Sequence, residues 1–354
     1  MLYGIAAATA ALLLAAVLAA LLRTLALRLG VIERRRARVV PLLGGVAVIG
    51  ATGFVAGIGD WTGVAPLGST AGRLLVAGIG VGVLGLIADL RRVPLFVQAV
   101  VVAGVAAWTV PYDALGLPVG MVAVGWIVLV AHAFTSLDHA DGVMGTVAVV
   151  TAFALSGCAA AEVMDGLATL LSVLAAALAG FLMHSWPPAR IVPGRCGALF
   201  AGFVLASAAV FVHAGREAGS SAGAVFALTA VATADAVLVL VSRRRAGRPL
   251  LRGAPDHLVH RLRRLGVTPQ GGTVVVGIGG FAGALVGLLI HLGWVSATAA
   301  LWVAGGAVVV VLALLRIPAY GVGHVGHSGR PHPAYTVQIA AKPQVSGRLR
   351  VRNR

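Results

Sequence analysis

Long apolar runs, separated by short polar or basic stretches, dominate this chain from its first residues to about position 316. Crossing the hydrocarbon core of a bilayer takes about 20 mostly apolar residues in a helix. By that measure the pattern predicts spans near 2–22, 43–59, 70–88, 95–112, 118–137, 144–162, 167–185, 197–215, 224–242, 274–292 and 294–316. The 43–59 and 144–162 runs are rich in Gly and Ala. The last two runs meet at His291-Leu292-Gly293, which predicts a very tight hairpin. No basic stretch precedes the first run, and no A-x-A site leads from it into a polar chain, so it reads as a first membrane helix rather than a removed leader. The expected fold class is all-α, a polytopic membrane helix bundle of about ten or eleven transmembrane helices.

Composition agrees. The chain is 59% hydrophobic and 11% charged over 354 residues, whereas a soluble domain carries roughly 25% charged residues. The net charge of +16 is concentrated between the spans. With the N-terminus outside and the C-terminus cytoplasmic, every Lys and Arg except Arg73 and Arg216 falls on the cytoplasmic side. The positive-inside rule therefore accounts for the charge without nucleic acid, and some of the excess suits anionic lipid head groups. Residues 1–317 are expected to form one membrane domain. Residues 318–354, basic and rich in Gly, Pro and His, are expected to be a disordered cytoplasmic tail in which His324, His327 and His332 are incidental. Cys158 and Cys196 fall on opposite sides of the membrane in this topology, so no disulfide is expected between them.

Four polar constellations interrupt the apolar pattern, and all fall on the predicted cytoplasmic side. Asp89, followed by Arg91 and Arg92, closes the third span. His132-Ala-Phe-Thr135-Ser-Leu-Asp138-His139-Ala-Asp141-Gly142 closes the fifth. Asp138 and Asp141 are spaced i,i+3 and share a helix face, where two carboxylates repel unless a cation or donor lies between them. The stretch Pro187-Pro188-Ala-Arg190-Ile-Val-Pro193-Gly194-Arg195-Cys196-Gly197 leads into the eighth span, where backbone N–H groups at a helix start suit a phosphate. Asp256-His257-Leu-Val-His260-Arg261 lies in the basic loop, with its two histidines again at i,i+3. Asp235 is a fifth point, a lone carboxylate inside the ninth span. Taken singly these have plain structural readings: a helix end, a Gly stop, a Pro-stiffened connector, an amphipathic surface helix, a local cap. Taken together they suit a phosphorylated substrate at one membrane face.

These residues resemble a known family, the polyprenyl-phosphate N-acetylhexosamine-1-phosphate transferases, which include the phospho-N-acetylmuramoyl-pentapeptide transferases. Val40-Pro41-Leu-Leu-Gly44-Gly45 is similar to the family's Pro-x-x-Gly-Gly entry to its second span, and Gly85-Leu-Ile-Ala88-Asp89-Leu-Arg91 to its Gly-Leu-x-Asp-Asp-x-x. His132 to Gly142 resembles Asn-Ala-x-Asn-x-x-Asp-x-x-Asp-Gly. Pro187 to Gly202 resembles Pro-Pro-Ala-x-x-Phe-x-Gly-Asp-x-Gly-Ser-Leu-Phe-x-Gly, and Asp256 to Leu262 resembles the histidine loop. The resemblance spans about residues 30–270 with all five motifs in order. It implies transfer of a sugar-1-phosphate from a UDP-amino sugar to a polyprenyl phosphate, with UMP leaving and Mg²⁺ offsetting phosphate charge, and an oligomer is open. Carried over residue by residue, it implies Asp89, Asp138 and Asp141 as catalytic, with Asp138 and Asp141 at the metal. His257, His260, Arg261, Arg195, Gly194 and Asp235 would bind substrate or phosphate.

The chain departs from the pattern at the expected metal site. Ala88 replaces the first Asp of the Asp-Asp pair, Arg195 the Asp of Gly-Asp-x-Gly, His132 and Thr135 the two Asn, and Ala198 the Ser. A methyl group binds no metal, and an Arg repels one. At an effective dielectric near 20, like unit charges about 4 Å apart cost roughly 4 kcal/mol. A guanidinium can instead fork onto phosphate oxygens. Three functions follow as expectations: a working transferase with an altered, metal-independent site; a non-catalytic member that binds a lipid-linked or nucleotide ligand or a partner enzyme; and a transporter. The last is disfavoured because only Asp235 lies deep within a span.

Overall fold

The computed structural model describes residues 2–35, 38–91, 93–247 and 256–317. The chain folds as a helix bundle in which every predicted span is a helix. The helices are α1 (Leu2–Leu29), α2 (Gly44–Trp61), α3 (Gly68–Leu90), α4 (Leu95–Thr109), α5 (Tyr112–Leu137), α6 (Val143–Ala161), α7 (Asp165–Ser185), α8 (Gly194–His213), α9 (Ala218–Arg245), α10 (Leu258–Arg264), α11 (Pro269–His291) and α12 (Ala299–Leu315). Among the described residues nine helices are long and apolar enough to cross a membrane; α4 and α12 are apolar but shorter. The tail 318–354, and with it the expected domain boundary, lies outside the described residues.

Two features differ from the sequence expectation. An antiparallel strand pair, β1 (Ile32–Arg35) with β2 (Arg38–Pro41), follows α1, with Ile32 opposite Pro41 and Glu33 opposite Val40. At four residues each, these strands are too short for an alternating pattern to stand out beside the runs of apolar helix. The hairpin at His291-Leu292-Gly293 is also wider than expected. Gly293 (φ 72°) ends α11 in the left-handed conformation that favours glycine, and α12 begins only at Ala299.

α8 is the axis of the bundle. All its residues are buried except Arg195, and α2, α3, α5, α6 and α9 pack around it. A helix that is apolar all round belongs in such a position. The outer helices instead turn residues such as Phe96, Leu117, Trp302 and Val309 outward, as lipid-facing helices do. α5 breaks at Gly116 (φ 70°), two residues before Pro118, so its continuous part matches the predicted span.

The stretch 186–193 is pinned over the start of α2. The Val192 amide donates to the Pro41 carbonyl (3.0 Å), and the Gly44 and Gly45 amides donate to the carbonyls of Val192 and Pro193 (3.1 and 3.0 Å). The α2 start thereby finds partners for two of its unpaired amides. A side chain on Gly45 would run into the backbone of Gly197 and come 2.6 Å from the Pro193 carbonyl oxygen. The Pro-x-x-Gly-Gly element is therefore a docking platform for the loop that leads into α8.

Candidate functional site

The ends of α3, α5 and α9, the starts of α6, α8 and α11, and α10 meet at one end of the bundle. Hydrogen bonds run between the motifs that the sequence singles out. Asp89, the penultimate residue of α3, is 8% exposed. Its Oδ1 accepts from the Arg195 amide and its Oδ2 from the Cys196 amide, both at 3.1 Å. Pro193, the residue before α8, offers no capping side chain, so a carboxylate from another helix fills the N-cap position. Gly194 makes the approach possible. Its φ is +64°, and a Cβ there would lie 2.6 Å from Asp89 Oδ2.

Asp138 ends α5 and is half-buried. Asp141, three residues on, turns one oxygen to the Ala189 amide (3.0 Å), while its own carbonyl accepts from the Thr273 hydroxyl (3.1 Å). The Gln270 side-chain amide donates to the Pro187 carbonyl (3.2 Å). The proline-rich connector is thus fastened to the α5–α6 turn and to α11.

Asp235, 1% exposed within α9, is fully partnered. Its Oδ2 accepts from the Ser136 hydroxyl (2.8 Å) and faces His257 Nδ1 at 3.0 Å, and its Oδ1 accepts from the Leu258 amide (2.8 Å). A carboxylate accepts only, so His257 Nδ1 carries the proton, while Nε2 is buried 4.0 Å from Asp256 Oδ1. The ring of the exposed His139 stacks on His257 with centroids 4.1 Å apart and planes 20° apart. His260 presents its ring edgewise to His257 at 6.2 Å. A small pocket opens between Ser136, His139, Asp235 and His257.

The histidine loop divides by burial. Asp256 is fully buried and forks onto the Arg243 guanidinium, Nε to Oδ2 at 2.8 Å and Nη2 to Oδ1 at 3.1 Å. Arg261, 1% exposed, donates to the carbonyls of Asp256 (3.1 Å), Leu314 (2.6 Å) and Ile317 (2.8 Å) and to the Ser242 hydroxyl. The guanidinium closes the last turn of α12, where carbonyls lack helical partners. Of the residues expected to meet phosphate, Arg261 is therefore turned into the protein, whereas His257 and His260 border the α5 end. Ser136, His139 and Arg243 were not singled out by chemistry in the sequence. Only Ser136 and His139, lying inside the fifth-span motif, carried a signal.

Arg195 is the exposed residue of α8, and among the described residues no carboxylate pairs with its guanidinium. His132 Nδ1 donates to the Val128 carbonyl (2.8 Å), while Nε2 is buried without a hydrogen-bond partner.

The donor set does not fit a divalent cation. Both Asp89 oxygens hold backbone amides, and Asp141 Oδ2 holds the Ala189 amide. The buried residue beside Asp89 is the methyl-bearing Ala88. Among the described residues no group of three or more His, Cys, Asp or Glu could hold a metal ion.

A second polar cluster, at the opposite end of the bundle, was not anticipated. His213 ends α8 and His291 ends α11, 4% and 3% exposed, with His291 Nδ1 3.3 Å from His213 Nε2. Glu162 lies 3.2 Å from His291 Nε2 and pairs with Arg216. Arg216 also donates to the His291 carbonyl (3.0 Å). Glu217 caps α9, and the Ser220 and Gly219 amides hold its carboxyl below the usual carboxylate value. Cys158 and Cys196 are both free and buried, near opposite ends of the bundle as expected.

Comparison with known proteins bears on the family. Residues 39–213 match the glycosyl transferase family 4 model. A putative glycosyltransferase of Streptomyces coelicolor is 60% identical over 90% of this chain and 79% of its own length. A decaprenyl-phosphate N-acetylglucosaminephosphotransferase of Mycobacterium tuberculosis is 30% identical over 69% of this chain and 72% of its own. A probable undecaprenyl-phosphate N-acetylglucosaminyl 1-phosphate transferase of Bacillus subtilis is 22% identical over 91% of this chain and 93% of its own. With its ordered motifs, its bundle of apolar helices and these relatives, the chain is a multi-pass protein of the cell membrane and belongs to glycosyl transferase family 4, among the polyprenyl-phosphate sugar-1-phosphate transferases.

Proposed function

We propose that this protein transfers a sugar-1-phosphate from a UDP-amino sugar to a polyprenyl phosphate at the cytoplasmic membrane face, in the initiation of a cell-envelope glycan. The supporting observation is the chain of hydrogen bonds that joins Asp89 to the α8 start, Asp141 to the loop before it, and Asp235 to His257. In the proposed reaction an oxygen of the lipid phosphate attacks the phosphorus that bears the sugar. The new bond makes a polyprenyl diphospho-sugar, and the bond from that phosphorus to the bridging oxygen breaks, so that UMP leaves with the electron pair. Asp138, half-exposed at the end of α5, takes the proton that a monoprotonated lipid phosphate sheds. In this scheme His257 and His260 flank the phosphates, and Asp235 fixes the His257 tautomer. Asp89, Gly194 and Arg261 position these groups and are not in contact with substrate. Mg²⁺, which the resemblance implies, has no role in this scheme.

The test is UMP release by membranes carrying the protein, supplied with polyprenyl phosphate and UDP-N-acetylglucosamine or UDP-N-acetylgalactosamine. UMP appearing only with both substrates supports the reading. A second reading is favoured by Ala88 and by the backbone amide held on each Asp89 oxygen: a family member that binds the nucleotide or lipid ligand, or a partner enzyme, without turnover. Nucleotide binding without UMP release would select it.

A further inference from the structure

We infer that Arg195 is this protein's built-in cation and that a sugar nucleotide's diphosphate binds here without a divalent metal. The inference rests on the reading that the ligand is a UDP-sugar. Three observations carry it. First, the carboxylates nearest the α8 start are engaged: Asp89 binds the amides of Arg195 and Cys196, and Asp141 binds the amide of Ala189. These amides fix the orientation of both carboxylates, and among the described residues no group of three or more His, Cys, Asp or Glu is gathered to complete a metal site. Second, the side chain that stands at this point is itself positive, exposed, and without a carboxylate partner among the described residues. A guanidinium there presents a planar fork of N–H donors matched to phosphate oxygens, and stays charged at any working pH.

Third, the departures from the family pattern are not scattered. Arg195 stands where a ligand Asp is expected and His132 where an Asn is expected. The Val128 carbonyl accepts from His132 Nδ1, so in the neutral ring Nε2 is a hydrogen-bond acceptor, buried and without a partner. An unfilled buried acceptor calls for a donor, and a sugar hydroxyl or acetamido N–H is the donor a UDP-amino sugar brings. Arg195 for the diphosphate and His132 for the sugar form a pair of the chemistry this ligand needs.

The probes are UDP-N-acetylglucosamine and UDP, titrated into the full-length protein in nanodiscs, once with EDTA and once with MgCl₂. The expected result is affinity in EDTA within about twofold of that in MgCl₂. Arg195→Ala should weaken it by roughly 10- to 100-fold, the range of a charge-assisted pair, and Arg195→Lys should recover part of that loss. Arg195→Asp should abolish binding in EDTA. Because the side chain is exposed, the melting curves of the variants should overlay that of the wild type, which separates lost contact from lost fold. Binding that vanishes in EDTA and returns with MgCl₂ overturns this inference and leaves the transferase reading standing. Equal affinity of Arg195→Ala and wild type overturns it as well. Absence of binding under both conditions sinks both readings.

Discussion

The Asp89 carboxylate and the Cys196 amide, 107 positions apart in the chain, are joined by a 3.1 Å hydrogen bond that fixes the end of α3 to the start of α8. Its partner bond, from the Arg195 amide, occupies the other oxygen. In this protein Asp89 therefore acts as the N-cap of the central helix. Asp89→Ala should leave two amides unpaired in a buried place, at about 1–3 kcal/mol each. Asp89→Asn, which keeps one acceptor, should cost less. Thermal melting in detergent checks this, with the order wild type, Asn, Ala. If Asp89→Ala melts with the wild type, the capping role is wrong.

Gly194 is tied to the same contact. Ala at this position must hold φ near +64° and place its Cβ 2.6 Å from Asp89 Oδ2. The left-handed backbone alone costs roughly 1–2 kcal/mol, and the clash adds to it. Gly194→Ala should lower the melting temperature, and combining it with Asp89→Ala should give less than the sum of the two losses, since the clash partner is gone. Strict additivity would argue against a direct contact.

The buried fork between Arg243 and Asp256 invites a second comparison. Asp256→Ala removes the carboxylate from a guanidinium that is 6% exposed, and breaking one side of a buried pair costs about 3–5 kcal/mol. Replacing both, as Arg243→Met with Asp256→Leu, should restore much of the stability, because the desolvation cost of the pair goes with it. Melting of the two single variants and the double variant decides this. A double variant weaker than either single one would mean that Asp256 matters chiefly through its other contacts.

Much of this architecture was legible in the amino-acid sequence, and the reason is physical. A membrane helix must be apolar along its whole length, so the spans stand out without reference to neighbours. The site motifs were legible as types of residue but not as roles. Asp89, Asp141 and Arg261 look like chemistry in a sequence, yet each is turned to backbone groups that only the packing brings near. Asp235 could be seen as costly, but its partners Ser136 and His257 come from elements far away in the chain. The short strand pair was hidden by its length, and the His213–His291 cluster because each His ends a different helix with nothing polar beside it to mark a motif.

His257 carries the sharpest functional expectation. Its ring is oriented by Asp235, with Ser136 Oγ 3.2 Å from the same nitrogen. Under the proposed reaction, His257→Ala should lower UMP release by 10²-fold or more, the usual scale for a positioned imidazole. Asp235→Asn should lower kcat with a smaller effect on KM, since it changes the tautomer that His257 presents and not the contact itself. Ser136→Ala should have the mildest effect, because Asp235 keeps the Leu258 amide and the imidazole. An Asp235→Asn enzyme with unchanged kcat would show that the tautomer is irrelevant.

The far-end cluster gives the control. Glu162 and Arg216 are about one-third exposed, at 35% and 37%, so the pair is screened by solvent and worth about 1 kcal/mol or less. His291 is buried, and its backbone carbonyl also accepts from Arg216. A double-mutant cycle of Glu162→Ala and Arg216→Ala should give a small coupling energy that falls with added salt. Each single variant also removes a contact with His291, the Arg216 bond to its carbonyl or the Glu162 approach to its Nε2, so the two single losses should be similar. Neither should alter nucleotide affinity at the other end, since α6, α8 and α11 run the full length of the bundle between the two clusters. Changed UDP-N-acetylglucosamine binding in Arg216→Ala would mean that the two ends are coupled through those helices, and that the bundle transmits a change which its packing suggests it should absorb.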